Sequence, residues 1–234
     1  MTAAPLRIAS YNIRKAIGTD RRRAPERILA VLDEIAPDVV MLQECDRRFG
    51  TRASVFSRTM LEDHGWQAVP VAQRPHSMGW HGNGILVRAD TQIIDSEPLH
   101  LPALEPRGAV MADLRVHGRL IRVVGMHLDL SGLWRRRQAA AVMAHVAACR
   151  APLPTILAGD LNEWRTAGGC LQDFGRHYRF ADTGPSFHAT RPIGRLDRIL
   201  FSADLQVVES RVHVSALARH ASDHLPIWAT LTPA

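Results

Sequence analysis

The sequence predicts an α/β domain in which two packed sheets of mixed or antiparallel pairing are covered on the outside by helices. Three observations lead there. Strand-like runs outnumber helical ones, many of them are neighbours that alternate apolar with polar residues, and two longer stretches repeat apolar residues at helical spacing. Sheets buried on one face by each other and on the other by helices account for all three.

Leu6-Arg7-Ile8-Ala9-Ser10-Tyr11 alternates as a strand does. Residues 24–35 then set Ile28, Leu29, Leu32 and Ile35 at helical spacing, with Pro25 in the first turn, where a missing N–H is tolerated. Pro37 separates that helix from Asp38-Val39-Val40-Met41-Leu42, a buried strand ending at Gln43-Glu44. Further strands are expected at 66–72, 84–88, 91–96, 108–115 and 119–127. A second helix is expected at 134–149, with Ala140, Val142, Met143, Val146 and Ala147 on its apolar face. Pro152 and Pro154 end it before Thr155-Ile156-Leu157-Ala158, and strands at 196–201, 205–214 and 226–231 follow. No repeat, low-complexity tract or linker divides the chain, so residues 1–234 are expected to form one domain.

With 234 residues, 46% of them hydrophobic, the chain can bury one substantial core. No apolar run approaches the roughly 20 residues that span a bilayer, and the start lacks the features of a secretory signal, so a cytoplasmic location is expected. Cys45, Cys149 and Cys170 form no CxxC pair and are expected to be buried small hydrophobes rather than disulfide partners or zinc ligands. A net charge of +6 favours anionic partners, either nucleic acid or an anionic lipid surface. Lys15 is the only lysine, however, and an arginine bias of the source genome explains much of that charge equally well. The triplets Arg21-Arg22-Arg23 and Arg135-Arg136-Arg137 stand apart from this solvated background, because each follows a candidate active-site segment.

Five polar clusters follow strand-like runs: Asn12, Glu44, His127 with Asp129, Asp160 with Asn162, and Asp223 with His224. Carboxylates and carboxamides at the ends of buried strands can converge in one cleft, where oxygen donors suit magnesium, manganese or calcium better than a soft metal. Taken alone, Glu44 reads as a solvated strand end; in this company it is the first candidate for a metal ligand. An extended Gly159-Asp160-Leu161-Asn162 would turn Asp160 and Asn162 to one side. The carboxylate could then orient or deprotonate a water while the carboxamide donates to a phosphoryl oxygen, although Gly-Asp sequences also make ordinary turns. Asp197 could orient His224 and favour its protonated form, and His127 offers a second imidazole. The sequence does not divide proton donation and charge stabilisation between the two.

In this order and spacing the fragments Ser10-Tyr11-Asn12-Ile13-Arg14, Leu42-Gln43-Glu44, Gly82-Asn83-Gly84-Ile85-Leu86, Arg107-Gly108-Ala109, His127-Leu128, Gly159-Asp160-Leu161-Asn162, Leu196-Asp197-Arg198-Ile199 and Ser222-Asp223-His224-Leu225-Pro226 resemble the endonuclease/exonuclease/phosphatase superfamily over nearly the whole chain. The resemblance implies a four-layer α/β/β/α sandwich, a cleft at one end of the two sheets and a requirement for Mg2+ or Mn2+. It also implies roles: Asn12, Glu44 and Asp223 at the metal; Asp160 on the attacking water; Asn162 on the phosphate; His224 with Asp197, and His127 opposite, at the reacting phosphate. Asn83, Arg107 and Ser186 match positions near the cleft. Arg14 and His127 depart from the acidic residue and tyrosine of exonuclease III-like repair enzymes and look more like the deoxyribonuclease and sphingomyelinase branches. Arg14 is therefore a candidate substrate contact. Trp80, in the loop 73–83, could stack on a base or dip into a lipid interface.

These features predict a metal-dependent phosphodiesterase acting on DNA, RNA or another phosphodiester. A phosphomonoesterase or phospholipid-headgroup hydrolase is the nearest alternative on the same scaffold, and a noncatalytic anion-binding module is the alternative of a different class.

Overall fold

The computed structural model describes residues 4–47 and 50–234. Twelve strands are present among them: β1 Leu6–Asn12, β2 Val39–Gln43, β3 Trp66–Ala68, β4 Gly84–Arg88, β5 Gln92–Leu99, β6 Gly108–Val116, β7 Arg119–His127, β8 Thr155–Asp160, β9 Arg179–Phe180, β10 Asp197–Phe201, β11 Leu205–Val212 and β12 Ile227–Pro233. The helices are α1 Pro25–Ile35, α2 Arg58–Asp63, α3 Gly132–Ala148, α4 Gly169–Phe174 and α5 Ala216–Ala221. The strands form two six-stranded sheets, in the orders β11-β12-β1-β2-β4-β3 and β5-β6-β7-β8-β10-β9. Each sheet holds one parallel pair, β1 with β2 and β7 with β8, and is otherwise antiparallel. The mixed-sheet sandwich expected from the sequence is therefore the one observed.

Three apolar layers hold it together. Ile8, Met41, Ile85, Val110, Val123, Ile156, Ile199 and Ile227 fill the space between the sheets. Leu29, Leu32 and Ile35 of α1 pack on Ala9, Tyr11, Val40 and Leu86, on the outer face of the first sheet. Ala139 and Val142 of α3, with Leu171 and Phe174 of α4, cover Val124, Met126, Leu157 and Leu200 of the second. The alternation seen in sequence follows from this: successive strand residues enter different layers.

Several boundaries differ from expectation for identifiable reasons. Strand β3 stops at Ala68 rather than continuing to 72, since Pro70 cannot donate to a ladder. Conversely, β5 runs through Pro98 to Leu99, tolerable because it is the edge strand of its sheet. The short helices α2 and α5 were not expected, although Ser57 and Ser215 cap them by accepting from Met60 N and Ala218 N, at 3.1 and 3.0 Å. On α3, Ala140 and Ala147 face solvent, and the buried stripe instead passes through Arg135, Gln138, Ala139 and Val142. Cys45 and Cys170 are buried as expected, whereas Cys149 is only partly so.

Register aligns the functional edge. Gly108 on β6 is opposite His127 on β7, His127 is opposite Asp160 on β8, and Asp160 is opposite Asp197 on β10. Four adjacent strands thus set their terminal residues in one row. Gly159 lets the β7 backbone approach: a Cβ there would lie 1.8 Å from the Met126 carbonyl oxygen. Replacing Gly159 with Ala must move backbone, and it is expected to lower unfolding free energy by more than about 2 kcal/mol in urea denaturation. Wild-type stability in that variant would mean the two strands have slack to separate.

Candidate active site

Asp160 is the hub. Its side chain is 2% exposed. Oδ2 accepts from Asn12 Nδ2 at 3.0 Å, across the gap between the sheets, while Oδ1 accepts from the Asn162 backbone N–H at 2.9 Å. Two imidazoles flank Oδ2, His127 Nε2 at 3.4 Å and His224 Nε2 at 3.7 Å. Burial opposes a charge on Asp160, but the two histidines, the Asn162 N–H and the Asn12 amide together hold its carboxyl below the ordinary range.

The imidazoles differ in charge state. Burial pushes His127 down to about 4; Asp160 opposes that shift and Arg107 adds to it. Arg107 Nη1 makes a short hydrogen bond to His127 Nε2. A guanidinium has only donors, so a neutral His127 accepts there and carries its proton on Nδ1. His224 behaves oppositely. Burial disfavours its charge, but Asp197 and Asp160 outweigh burial and raise it to about 10. Its Nδ1 meets Asp197 Oδ2 at 2.8 Å, and the same oxygen accepts a short hydrogen bond from Ser186. Burial in turn pushes the Asp197 carboxyl up, against the pull of His224.

Glu44 follows the end of β2 in left-handed backbone, φ 55°, and turns into a cavity of about 370 Å3 that also reaches His127, Arg107 and Trp80. Burial raises its carboxyl, but His127, Lys15 and Arg107 outweigh this and leave it below the ordinary value. Lys15 donates to it directly. A half-buried carboxylate matched by an ammonium is a place that accepts a cation, and Asn12, whose Oδ1 accepts from the Arg14 backbone N–H at 3.1 Å, is opposite Gln43 on the adjacent strand. The residues fit a hard divalent ion. Among the described residues the one set of three His, Cys, Asp or Glu ligand atoms lying within 4.8 Å of one another is Asp160, Asp197 and His224. That set is less suitable, because the His224 Nδ1 is engaged by Asp197 and the ring holds its proton.

Other residues anticipated from sequence take supporting positions. Asn162 has φ 50°, so it relates to Asp160 through a side-chain turn and not through strand alternation; its amide donates to Leu128 O at 2.9 Å. Ser186 is fully buried and positions Asp197 rather than touching a substrate. Asn83 is fully buried too, donating to Trp80 O at 3.2 Å and Gly108 O at 3.0 Å, so it braces the cavity loop. Trp80 lines the cavity, edge-on to His81 and His100, and is not a protruding membrane anchor. Arg14 Nε lies 3.2 Å from Asp223 Oδ2, which matches the charge of that carboxylate at the rim. Asp129 is a loop anchor, accepting from Ser131 N at 2.8 Å.

Sequence reasoning missed the brace behind these groups. Arg135 donates to Glu163 at 3.0 Å and to Leu130 O at 2.6 Å, and Gln138 Oε1 accepts from Asp129 N at 2.8 Å. These contacts tie the loops after β7 and β8 to α3. The polar residues at helical spacing on an otherwise apolar face were the available signal. Arg136 pairs with Asp173 at 2.9 Å and Arg137 lies over Trp134 at 4.9 Å, so the triplet is largely structural.

Fold and site together define a two-sheet sandwich with a buried carboxylate and imidazole row at one edge. The chain belongs to the endonuclease/exonuclease/phosphatase family, which it matches over residues 9–224. It is 29% identical to YbhP of Escherichia coli K12 over 164 residues, 65% of this chain and 63% of YbhP, so the match spans less than two thirds of that relative. Danio rerio TDP2 complexed with a single-strand DNA product superposes with a TM-score of 0.72 at 17% identity, over 98% of this chain and 99% of that one. A mannosyl-6-phosphatase of Bacteroides thetaiotaomicron gives 0.71 at 20% identity, over 97% and 99%. Such identities establish a shared fold.

The pairing with Asp197 fixes the sign of one pH effect. An imidazole raised from 6.5 to about 10 contributes stability that is complete below pH 6.5 and is lost as pH rises through about 10. In an NMR titration the His224 ring is expected to stay protonated through neutral pH and release its proton near 10, and in Asp197→Asn to release it at least about one unit lower. Unchanged titration in the variant would dissociate the two residues.

Proposed function

We propose that the chain is a divalent-cation-dependent phosphodiesterase that cleaves its substrate by direct in-line attack of water. The observation that carries this reading is the buried Asp160 carboxylate, which the Asn12 amide and the Asn162 N–H hold between the His127 and His224 imidazoles. Asp160 accepts a proton from the attacking water as the new P–O bond forms and the bond to the leaving oxygen breaks. His224, held by Asp197 and Ser186, keeps its proton and faces the charge that builds on the phosphoryl oxygens. Arg107, now on His127, is a ready donor to one of those oxygens, and Asn162 lies beside Asp160 to hold another. Glu44 and Asn12, with Asp223, would hold a magnesium or manganese ion, which when bound neutralises phosphate charge. A nucleic-acid strand suits the positive net charge, and the fold likeness to TDP2 with its DNA product supports a diester.

Turnover of bis(p-nitrophenyl) phosphate is expected with Mg2+ or Mn2+ and to vanish on chelation with EDTA. Turnover of p-nitrophenyl phosphate is expected to be lower. Asp160→Asn and His224→Ala should each reduce kcat at least about 100-fold, equal to about 2.7 kcal/mol of transition-state stabilisation. Near-normal rates in either would remove that residue from the mechanism. Preference for the monoester would make the enzyme a phosphatase, and DNA binding without any turnover would make it a binding module.

A second reading has its own support. Leu104, Leu130, Leu133, Trp164 and Ile193 are between 60% and 76% exposed. Their loops touch in succession: Glu105 N reaches Asp129, Arg135 joins Leu130 O to Glu163, and Trp164 packs edge-on to Phe187, whose ring lies tilted against His224 at 4.8 Å between centroids. An apolar rim around a phosphoesterase cleft, with exposed Arg137, Arg165 and Arg191 beside it, suits an anionic phospholipid surface. On that reading, phosphatidylglycerol vesicles sediment the protein and Leu133→Asp with Trp164→Asp weakens this at least about tenfold. No sedimentation at low salt would leave the soluble phosphodiester.

A further inference from the structure

The cavity that Glu44, His127 and Arg107 share at one end is lined elsewhere by Arg47, Arg52 and Arg74. Among the described residues none of these three guanidinium groups has a carboxylate within ion-pair distance or a side-chain hydrogen bond. Most other arginines near an acid are matched, Arg27 to Asp20, Arg122 to Asp113 and Arg195 to Asp182 among them. Asp46 is in the same wall but is already committed: it accepts from Ser77 Oγ at 2.5 Å and Met78 N at 2.9 Å and so fixes the turn that carries Trp80. Trp80 Nε1 and His81 Nδ1, both on cavity-lining residues, are shielded from solvent without a partner. Burial, with Arg52 and Arg74, holds His81 below its ordinary value, as expected where positive charge is crowded.

Unmatched arginines gathered around one concavity repel each other unless an anion joins them, and a phosphate group meets guanidinium donors in pairs. We propose that Arg47, Arg52 and Arg74 form a second phosphate subsite, so that the favoured ligand carries two phosphate groups, one at Asp160 and one at the arginines. The assignment rests on the phosphoesterase reading for the position of the first phosphate. The second can come from a flanking nucleotide or from a small bisphosphate, and the chemistry at the arginines is the same.

The test is calorimetric titration in EDTA with thymidine 5′-monophosphate, thymidine 3′,5′-bisphosphate and fructose 1,6-bisphosphate. The wild-type protein should bind at least one bisphosphate about tenfold more tightly than the monophosphate, and Arg52→Ala with Arg74→Ala should reduce that ratio below about threefold. Preference for the nucleotide bisphosphate alone identifies a strand as the source, whereas equal binding of both bisphosphates identifies a small molecule. Equal affinity for mono- and bisphosphate, or a preference that survives the double substitution, overturns the subsite. Parallel turnover of bis(p-nitrophenyl) phosphate by the wild type separates the two readings. Turnover without bisphosphate preference sinks the subsite alone, and preference without turnover sinks the catalytic reading alone.

Discussion

The hydrogen bond from Asn12 to Asp160 joins the two sheets at the edge that carries the candidate site. Asn12 closes β1 in the first sheet, Asp160 closes β8 in the second, and their side chains meet at 3.0 Å in a setting nearly free of solvent. The bond matters because a sandwich core is otherwise non-directional: apolar layers resist separation but tolerate small slides. A charge-assisted bond between side chains on opposite sheets penalises such a slide, and a displaced Asp160 would have to bury its charge with fewer donors. Ser222 extends the tie by donating to the Asn12 carbonyl at 2.8 Å, which brings the segment bearing Asp223 and His224 to the same point.

From that anchor the charge states of the site follow. A buried ion pair gains little stability, since desolvation cancels much of its attraction. Here His224 lies between two carboxylates, and losing its proton would leave both without a positive partner. His127 lies beside the same Asp160 but also against Arg107, and one more positive charge there would be opposed by the guanidinium. Burial with Arg107 thereby keeps one imidazole neutral, while Asp197 with Asp160 keeps the other protonated against the same burial.

How far the chain announces this depends on the range of the interaction concerned. Helix α1 and strands β1, β2, β4, β7 and β10 are visible because burial imposes a local period. Asp197 beside His224 was anticipated from residue types, although a separation of 27 positions says nothing of the 2.8 Å between them. The left-handed backbone at Glu44 and Asn162 was not legible, since neither is glycine and tertiary contacts select the conformation. Ser186 and Asn83 matched cleft positions, yet only the three-dimensional structure reveals that both are enclosed and act on other residues. Arg135 was misjudged for the same reason: its triplet was set apart from the solvated arginines because it follows a candidate active-site segment, whereas the first of the three turns inward to Glu163.

Lys15, the sole lysine in a chain that otherwise uses arginine for its permanently charged cations, fits the task at Glu44. A guanidinium forks two donors onto a carboxylate and is held by that geometry, whereas an ammonium on a four-carbon stem binds as a point charge and can withdraw along its own rotamers. The Glu44 carboxylate is kept ionised in a half-buried position by Lys15 together with His127 and Arg107. Should Lys15 withdraw, the Arg107 guanidinium, which lines the same cavity, remains. A carboxylate so arranged stays ready for a harder cation, while Arg47, Arg52 and Arg74 line other parts of the same cavity.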